Sequence, residues 1–159
     1  MIKKTIEYHD YEGNMRKDDF YFNLTQIEMN KINSDPTLPG GIEASVNRAV
    51  KNEDAGEMLR IIDLLISRSY GMKLPDGSFV KRNATGLPLY EAFVNTEAYD
   101  NLLTELISGG ENVVGDFLIG CLPTSAQEKV QAEVKKRDLE RKQAGDLELV
   151  KAGAESAVV

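Results

Sequence analysis

The run Asp18-Asp19-Phe20-Tyr21-Phe22-Asn23-Leu24-Thr25-Gln26-Ile27-Glu28-Met29 passes from an aromatic strand pattern to a capped helix within two residues. No other stretch constrains the fold as much. Side chains alternate faces along an extended segment, so Phe20 and Phe22 share one face and Tyr21 takes the other. Thr25 and Glu28 have the T-x-x-E spacing of a capping box, in which each side chain satisfies the other residue's backbone N–H. Leu24 at N′ and Met29 at N4 add a hydrophobic staple. Strand and helix are thereby held in register by local chemistry, with no catalytic group between them.

Upstream, Ile2, Ile6 and Tyr8 alternate with Lys3, Thr5 and Glu7, and the turn Tyr11-Glu12-Gly13-Asn14 returns the chain into Met15 to Phe22. This pattern predicts an N-terminal hairpin. A two-stranded hairpin is marginally stable alone, so it must pack on helices. Downstream of the Thr25 helix, the prolines and glycines of Ser34 to Gly41 predict a surface loop. A helix with Ile42, Val46, Ala49 and Val50 on one face follows, and Asp54 with Glu57 caps the next. In that helix Met58, Ile61, Ile62, Leu65 and Ile66 recur at helical spacing and predict one buried stripe.

Tyr70-Gly71 closes this helix, and Met72 to Arg82 reads as a second short hairpin around Pro75-Asp76-Gly77-Ser78. Leu89, Tyr90, Phe93 and Val94 give a helical turn or two. Thr96 is placed to cap a helix carrying Tyr99, Leu102, Leu103, Leu106 and Ile107, which Gly109-Gly110 ends. Val113, Val114, Phe117, Leu118 and Cys121 form the last core stripe before Pro123. Phe20, Phe22, Ile61, Leu65, Leu102, Leu106 and Phe117 are expected to share one core. The fold class predicted is α+β and predominantly α, with the N-terminal hairpin on a small helical bundle and an extended C-terminal helix.

Beyond Pro123 the character changes. Ser125 and Glu128 have capping-box spacing, but only Val130, Val134 and Leu139 are available to bury. Glu133 with Arg137 and Asp138 with Lys142 are acid-to-base i,i+4 pairs that support a solvated helix. The expected organisation is a globular unit over 1–123, a charged exposed helix over 124–144 that Gly145 breaks, and a disordered tail over 145–159.

Composition narrows function. With 159 residues and 42% hydrophobic side chains the chain suits one domain with an ordinary core. Its 26 acidic against 19 basic residues give a net charge of −7, which repels phosphate backbones and favours protein partners. The single cysteine excludes an intramolecular disulfide, and Met1 to Thr5 lacks the apolar stretch of a signal peptide, so a cytosolic chain is expected. The most apolar run, Leu59 to Ile66, is interrupted by Arg60 and Asp63 and is too short to cross a bilayer.

The candidate chemistry is sparse. His9, with Asp10, Glu12, Asp18 and Asp19 near the same turn, is the one arrangement that approaches a metal site. A lone histidine at a solvated hairpin tip lacks convergent ligands, so no metal is expected. Cys121 lies on an apolar helical face with no second histidine to activate it. Asp18 and Asp19 alternate faces and cannot share a proton. Gly40-Gly41 and Gly109-Gly110 lack the spacing of phosphate-binding loops. Arg68, Lys73, Lys81 and Arg82 make a local basic patch, but without interleaved aromatic residues they read as edge-strand protection rather than a nucleic-acid surface. Asn23-Leu24-Thr25 and Asn83-Ala84-Thr85 match a glycosylation sequon by coincidence, since no secretion signal accompanies them. No cofactor and no catalysis are expected, and a binding role follows by elimination.

The hairpin ending in an acidic-Phe-Tyr-Phe-Asn-Leu-Thr stretch is followed in order by Tyr70-Gly71, Pro75-Asp76-Gly77, Phe93, Thr96-Glu97-Ala98-Tyr99, Phe117 and Leu122-Pro123. Over about residues 2 to 123 this order resembles the tail assembly chaperones of long-tailed, siphovirus-type bacteriophages infecting Gram-positive bacteria. The resemblance implies binding to the tape measure protein, whose long apolar helices need cover before the tail tube assembles around them. It also implies residence in the cytoplasm of the bacterial host and absence from the mature virion. The tail tube protein and a second copy of the chain are further candidate partners; nucleic acid and membrane are not. Val130, Val134 and Leu139 are the candidate partner-binding residues. Two alternatives stand beside this reading: a structural tail or head-tail connector protein retained in the virion, and a small phage regulatory or nucleic-acid-binding protein.

Overall fold

The alternation in the first two strands decides which side of the sheet meets the helices. Strand β1 (Ile2–His9) pairs antiparallel with β2 (Met15–Phe22) from Ile2↔Phe22 to His9↔Met15. Ile6 and Phe22 are buried on one face. On the other face Lys3 and Thr5 meet Asp19 at 3.0 and 2.6 Å, and Lys17 meets Glu7 at 2.8 Å. These donors hold the Asp19 and Glu7 carboxyls below their ordinary range, the Thr5 hydroxyl first for Asp19 and the Lys17 ammonium for Glu7. The outer face is thus a solvated charge ladder, as the period-two pattern predicts.

The computed structural model describes the backbone of residues 1–155 and the side chains of residues 1–145. After the hairpin come α1 (Gln26–Asn33), α2 (Gly41–Lys51), α3 (Ala55–Ser69), β3 (Tyr70–Lys73), β4 (Phe79–Val80), α4 (Tyr90–Phe93), α5 (Glu97–Ser108), α6 (Gly110–Cys121) and α7 (Thr124–Glu155). The fold is α+β with more helix than strand, as the sequence implies. The two hairpins form one sheet of order β1-β2-β3-β4, because Tyr70 and Gly71 pair with Phe22 and Tyr21. The chain divides into two compact units, Met1–Pro123 and a second beginning at Thr124.

In the first unit the junction at Thr25 forms as its spacing requires. The Glu28 N–H donates to Thr25 Oγ1 at 3.2 Å, and the Thr25 N–H donates to Glu28 Oε2 at 2.8 Å. Leu24 and Met29 are both buried. Asp54 caps α3 by accepting from the Glu57 N–H at 2.9 Å, and the whole predicted stripe of Met58, Ile61, Ile62, Leu65 and Ile66 is buried. Of the seven residues assigned to one core, six are buried. Phe20 is half-buried and places its ring against Tyr8, Tyr70 and Phe93.

Helix α5 runs along the edge strand β1. His9 Nδ1 lies 3.2 Å from Glu97, Asn101 Nδ2 donates to the Glu7 carbonyl at 3.0 Å, and Lys4 Nζ reaches Glu105 at 2.7 Å. Residues 97, 101 and 105 stand one turn apart on a single helical stripe. The free edge of β1 is covered in this way, which removes a template for strand addition.

Four expectations are corrected. The loop before α2 is not wholly superficial: Leu38 is 1% exposed, because its turn folds the side chain back under the helices. On α2 the inward residues are Ile42, Ser45, Val46 and Ala49, while Val50 is 41% exposed, the stripe having rotated past it by the end of the helix. Helix α7 begins at Thr124, which puts Ser125 inside the first turn rather than at the cap. It also continues through Gly145 to Glu155 instead of breaking there. One glycine costs a helix about 1 kcal/mol relative to alanine, too little to stop it where helix-forming neighbours flank it on both sides. Of the expected disordered tail 145–159, residues 156–159 lie outside the described residues.

Candidate partner-binding site

The first unit carries an open groove of about 910 Å³. Its walls are the start of α1 (Thr25, Glu28), the end of α3 (Leu64, Ser67, Arg68), β4 with Lys81 and Arg82 just after it, and Pro88, Tyr90 and Glu91 at the start of α4. Three of the four predicted basic residues meet here: Arg68, Lys81 and Arg82. Lys73 does not line the groove, so the patch is smaller than the sequence suggests.

The capping box positions the groove's central charge pair. Glu28, fixed by the Thr25 N–H, accepts from Lys81 Nζ at 2.7 Å, and the same ammonium donates to the Arg68 carbonyl at 2.7 Å. Burial pushes the Glu28 carboxyl up, but Lys81 and the Thr25 N–H outweigh it and hold the group below its ordinary range. Lys81 is therefore a tie between α1, α3 and β4. Arg82 donates to the Gly86 carbonyl at 2.7 Å, and the Arg68 guanidinium closes no ion pair among the described residues, although its charge acts on the Asp35 carboxylate at longer range.

Behind the Tyr90 wall lies a cluster that periodicity did not reveal. The Tyr90 and Tyr99 hydroxyls both donate to Asp63 Oδ1, which joins α4 and α5 to α3. Burial first, then the bond to Asp63, pushes the Tyr90 phenol up to about 12 and the Tyr99 phenol in the same direction. In the sequence Asp63 is only a polar interruption of an apolar run. Nothing in its spacing announces two tyrosine partners from 27 and 36 residues downstream.

The remaining candidate residues are occupied in structural roles. Asp10 accepts from the Glu12 and Asn14 N–H groups within the first turn, and Asp18 accepts from Tyr8 and Arg16. Among the described residues no group of three or more His, Cys, Asp or Glu is placed to hold a metal ion. Cys121 is buried, and burial pushes its thiol up to about 12, so it stays protonated and unreactive at neutral pH. No described helix is long and apolar enough to cross a membrane.

On α7, Val130 is half-buried, while Val134 and Leu139 are 43% and 59% exposed. The helix does not bring the three together. At about 100° per residue Val130 and Val134 lie within about 40° of each other, whereas Leu139 is about 180° from Val130. Glu133 and Arg137 close the expected i,i+4 pair at 3.3 Å.

The match that decides the family is to the model described as phage tail assembly chaperone, and it spans residues 1–157. The chain belongs to the phage tail assembly chaperone family. Neither a curated protein nor a solved structure matches it. The match runs past Pro123, so the segment that carries α7 is part of the family pattern, which the resemblance over residues 2 to 123 left out. Membership of this family implies protein partners in tail assembly.

Proposed function

We propose that this chain binds the tape measure protein before and during assembly of the tail tube, as a non-catalytic chaperone of a siphovirus-type phage with a Gram-positive host. The observation that carries the reading is the family match, which covers the chain nearly end to end. It acts in the cytoplasm of the host and is left behind when the virion is complete, with the tail tube protein and further copies of the chain as secondary partners. The unit 1–123 supplies the folded scaffold, and Val130 and Val134 on one face of α7 contribute to holding apolar helical segments of the client. Leu139, on the opposite face, serves a different contact.

Co-expression with the tape measure protein encoded by the same phage tests this. Recovery of a soluble complex, weakened by V130D/V134D, supports it, and a tape measure protein that is equally soluble without this chain overturns it. Mass spectrometry of purified particles provides a second arm. A chain present at structural stoichiometry in the virion is a tail or connector component instead.

A further inference from the structure

The first unit carries the whole of the net charge of −7, since the acidic and basic residues after Pro123 balance. Its groove departs from that average, with Arg68, Lys81 and Arg82 against Glu28 and Glu91. The cations there are not equivalent. Lys81 is spent on Glu28 and the Arg68 carbonyl, whereas the exposed Arg68 and Arg82 guanidiniums close no ion pair among the described residues: Arg68 acts on the Asp35 carboxylate only at longer range, and Arg82 donates one N–H to the Gly86 carbonyl. A guanidinium presents a planar fork that matches a carboxylate in two parallel hydrogen bonds. Half-buried Leu64, Phe79, Val80 and Pro88 supply apolar wall beside it.

We propose that this groove docks a segment of the client protein that presents a carboxylate flanked by apolar side chains. The inference rests on the client reading above. Charge complementarity selects the occupant: the rest of an acidic surface repels an acidic segment, and the groove is where two exposed guanidiniums that close no ion pair among the described residues receive one. The Lys81–Glu28 tie fixes the central charges of the groove without drawing on either arginine.

The test uses the full chain and overlapping synthetic peptides covering the tape measure protein of the same phage, with binding read by fluorescence anisotropy. Peptides with Asp or Glu beside apolar residues should bind, and raising the salt concentration should weaken them. The R68E/R82E variant should lose about tenfold or more in affinity, R68K/R82K should lie between it and the parent, and K17E on the outer sheet face should match the parent. Circular dichroism verifies that each variant is folded. Peptides that bind equally well to R68E/R82E, or after their carboxylates are replaced by amides, overturn the groove assignment and leave the client reading standing. So does co-purification of the intact client when no peptide binds. Absence of both peptide binding and co-purification overturns the client reading itself. Binding of a duplex DNA probe that competes with the peptides overturns the choice of occupant.

Discussion

The rings of Tyr70 and Phe93 stack with centroids 4.2 Å apart and planes 16° from parallel, which joins the first residue of β3 to the last residue of α4. Phe93 also lies 5.1 Å from Phe20, 6.1 Å from Phe22 and 5.8 Å from Tyr99, ring centre to ring centre. One buried side chain thus connects the sheet to α4 and α5. Phe93→Ala should cost about 3 to 5 kcal/mol through the cavity and lost ring contacts, and Phe93→Leu less. Urea denaturation measures this. A loss under about 1 kcal/mol would show that the ring cluster closes up around the gap.

Two glycines should respond to alanine with opposite signs. A Cβ on Gly71 would lie 2.5 Å from the Phe79 ring and 2.5 Å from the Val80 carbonyl oxygen, and the second obstacle is backbone. Gly71→Ala must therefore spread β3 from β4, at a cost of about 1 to 3 kcal/mol. Gly115 lies inside α6 with open space around its would-be Cβ. Gly115→Ala should raise stability by about 0.5 to 1 kcal/mol through helix propensity alone. Thermal melts of the two variants against the parent decide it, and a shift of the same sign in both would contradict the geometry.

The Asp63 cluster makes stability depend on alkaline pH. The Tyr90 phenol, buried and bonded to Asp63, is pushed up to about 12 from an ordinary value of 10.0. The folded chain thus keeps this proton to a higher pH than the unfolded chain does. Its contribution is fully present below about pH 10 and is lost as the pH rises through about 12. Tyr99 shifts in the same direction and adds to the effect. Tyr90→Phe should flatten the loss of stability between about pH 10 and about pH 12. Chemical denaturation at both ends of that window checks it. An unchanged pH slope in the variant would mean that Tyr90 ionises as freely in the folded chain as in the unfolded one.

What the sequence disclosed and what it hid divide by range. The capping box at Thr25 and Glu28, the Asp54 cap and the α3 stripe each depend on residues within a few turns, and each formed as its spacing required. The pairing of Phe22 with Tyr70 joins strands separated by three helices, and no local pattern encodes it. Burial of Ser45 follows from packing of α2, and its hydroxyl takes an Arg48 N–H at 3.1 Å, a partner that hydrophobic periodicity ignores. The groove was half legible. Its basic residues stood out in composition, but Glu28 enters from the Thr25 junction 53 residues earlier and neutralises the central lysine. On α7 the apolar residues are visible in the sequence, but only the helical phase shows that Leu139 turns away from Val130 and Val134.

The boundary at Pro123 yields the last prediction. Every buried side chain among the described residues belongs to the stretch that ends at Leu122, and α7 from Thr124 to Gly145 contributes none. Its described part is held by backbone hydrogen bonds and side-chain pairs such as Glu133–Arg137, which are worth a few tenths of a kcal/mol each. Deleting residues 124–159 should therefore leave 1–123 folded, with a melting temperature within a few degrees of the full chain, because the described core side chains all lie within 1–123. If α7 engages the client, the truncated chain should also lose co-purification with the tape measure protein while keeping its near-ultraviolet dichroism. A truncated protein that keeps its far-ultraviolet signal but loses the near-ultraviolet one would be molten, and would place the end of the cooperative unit beyond Pro123.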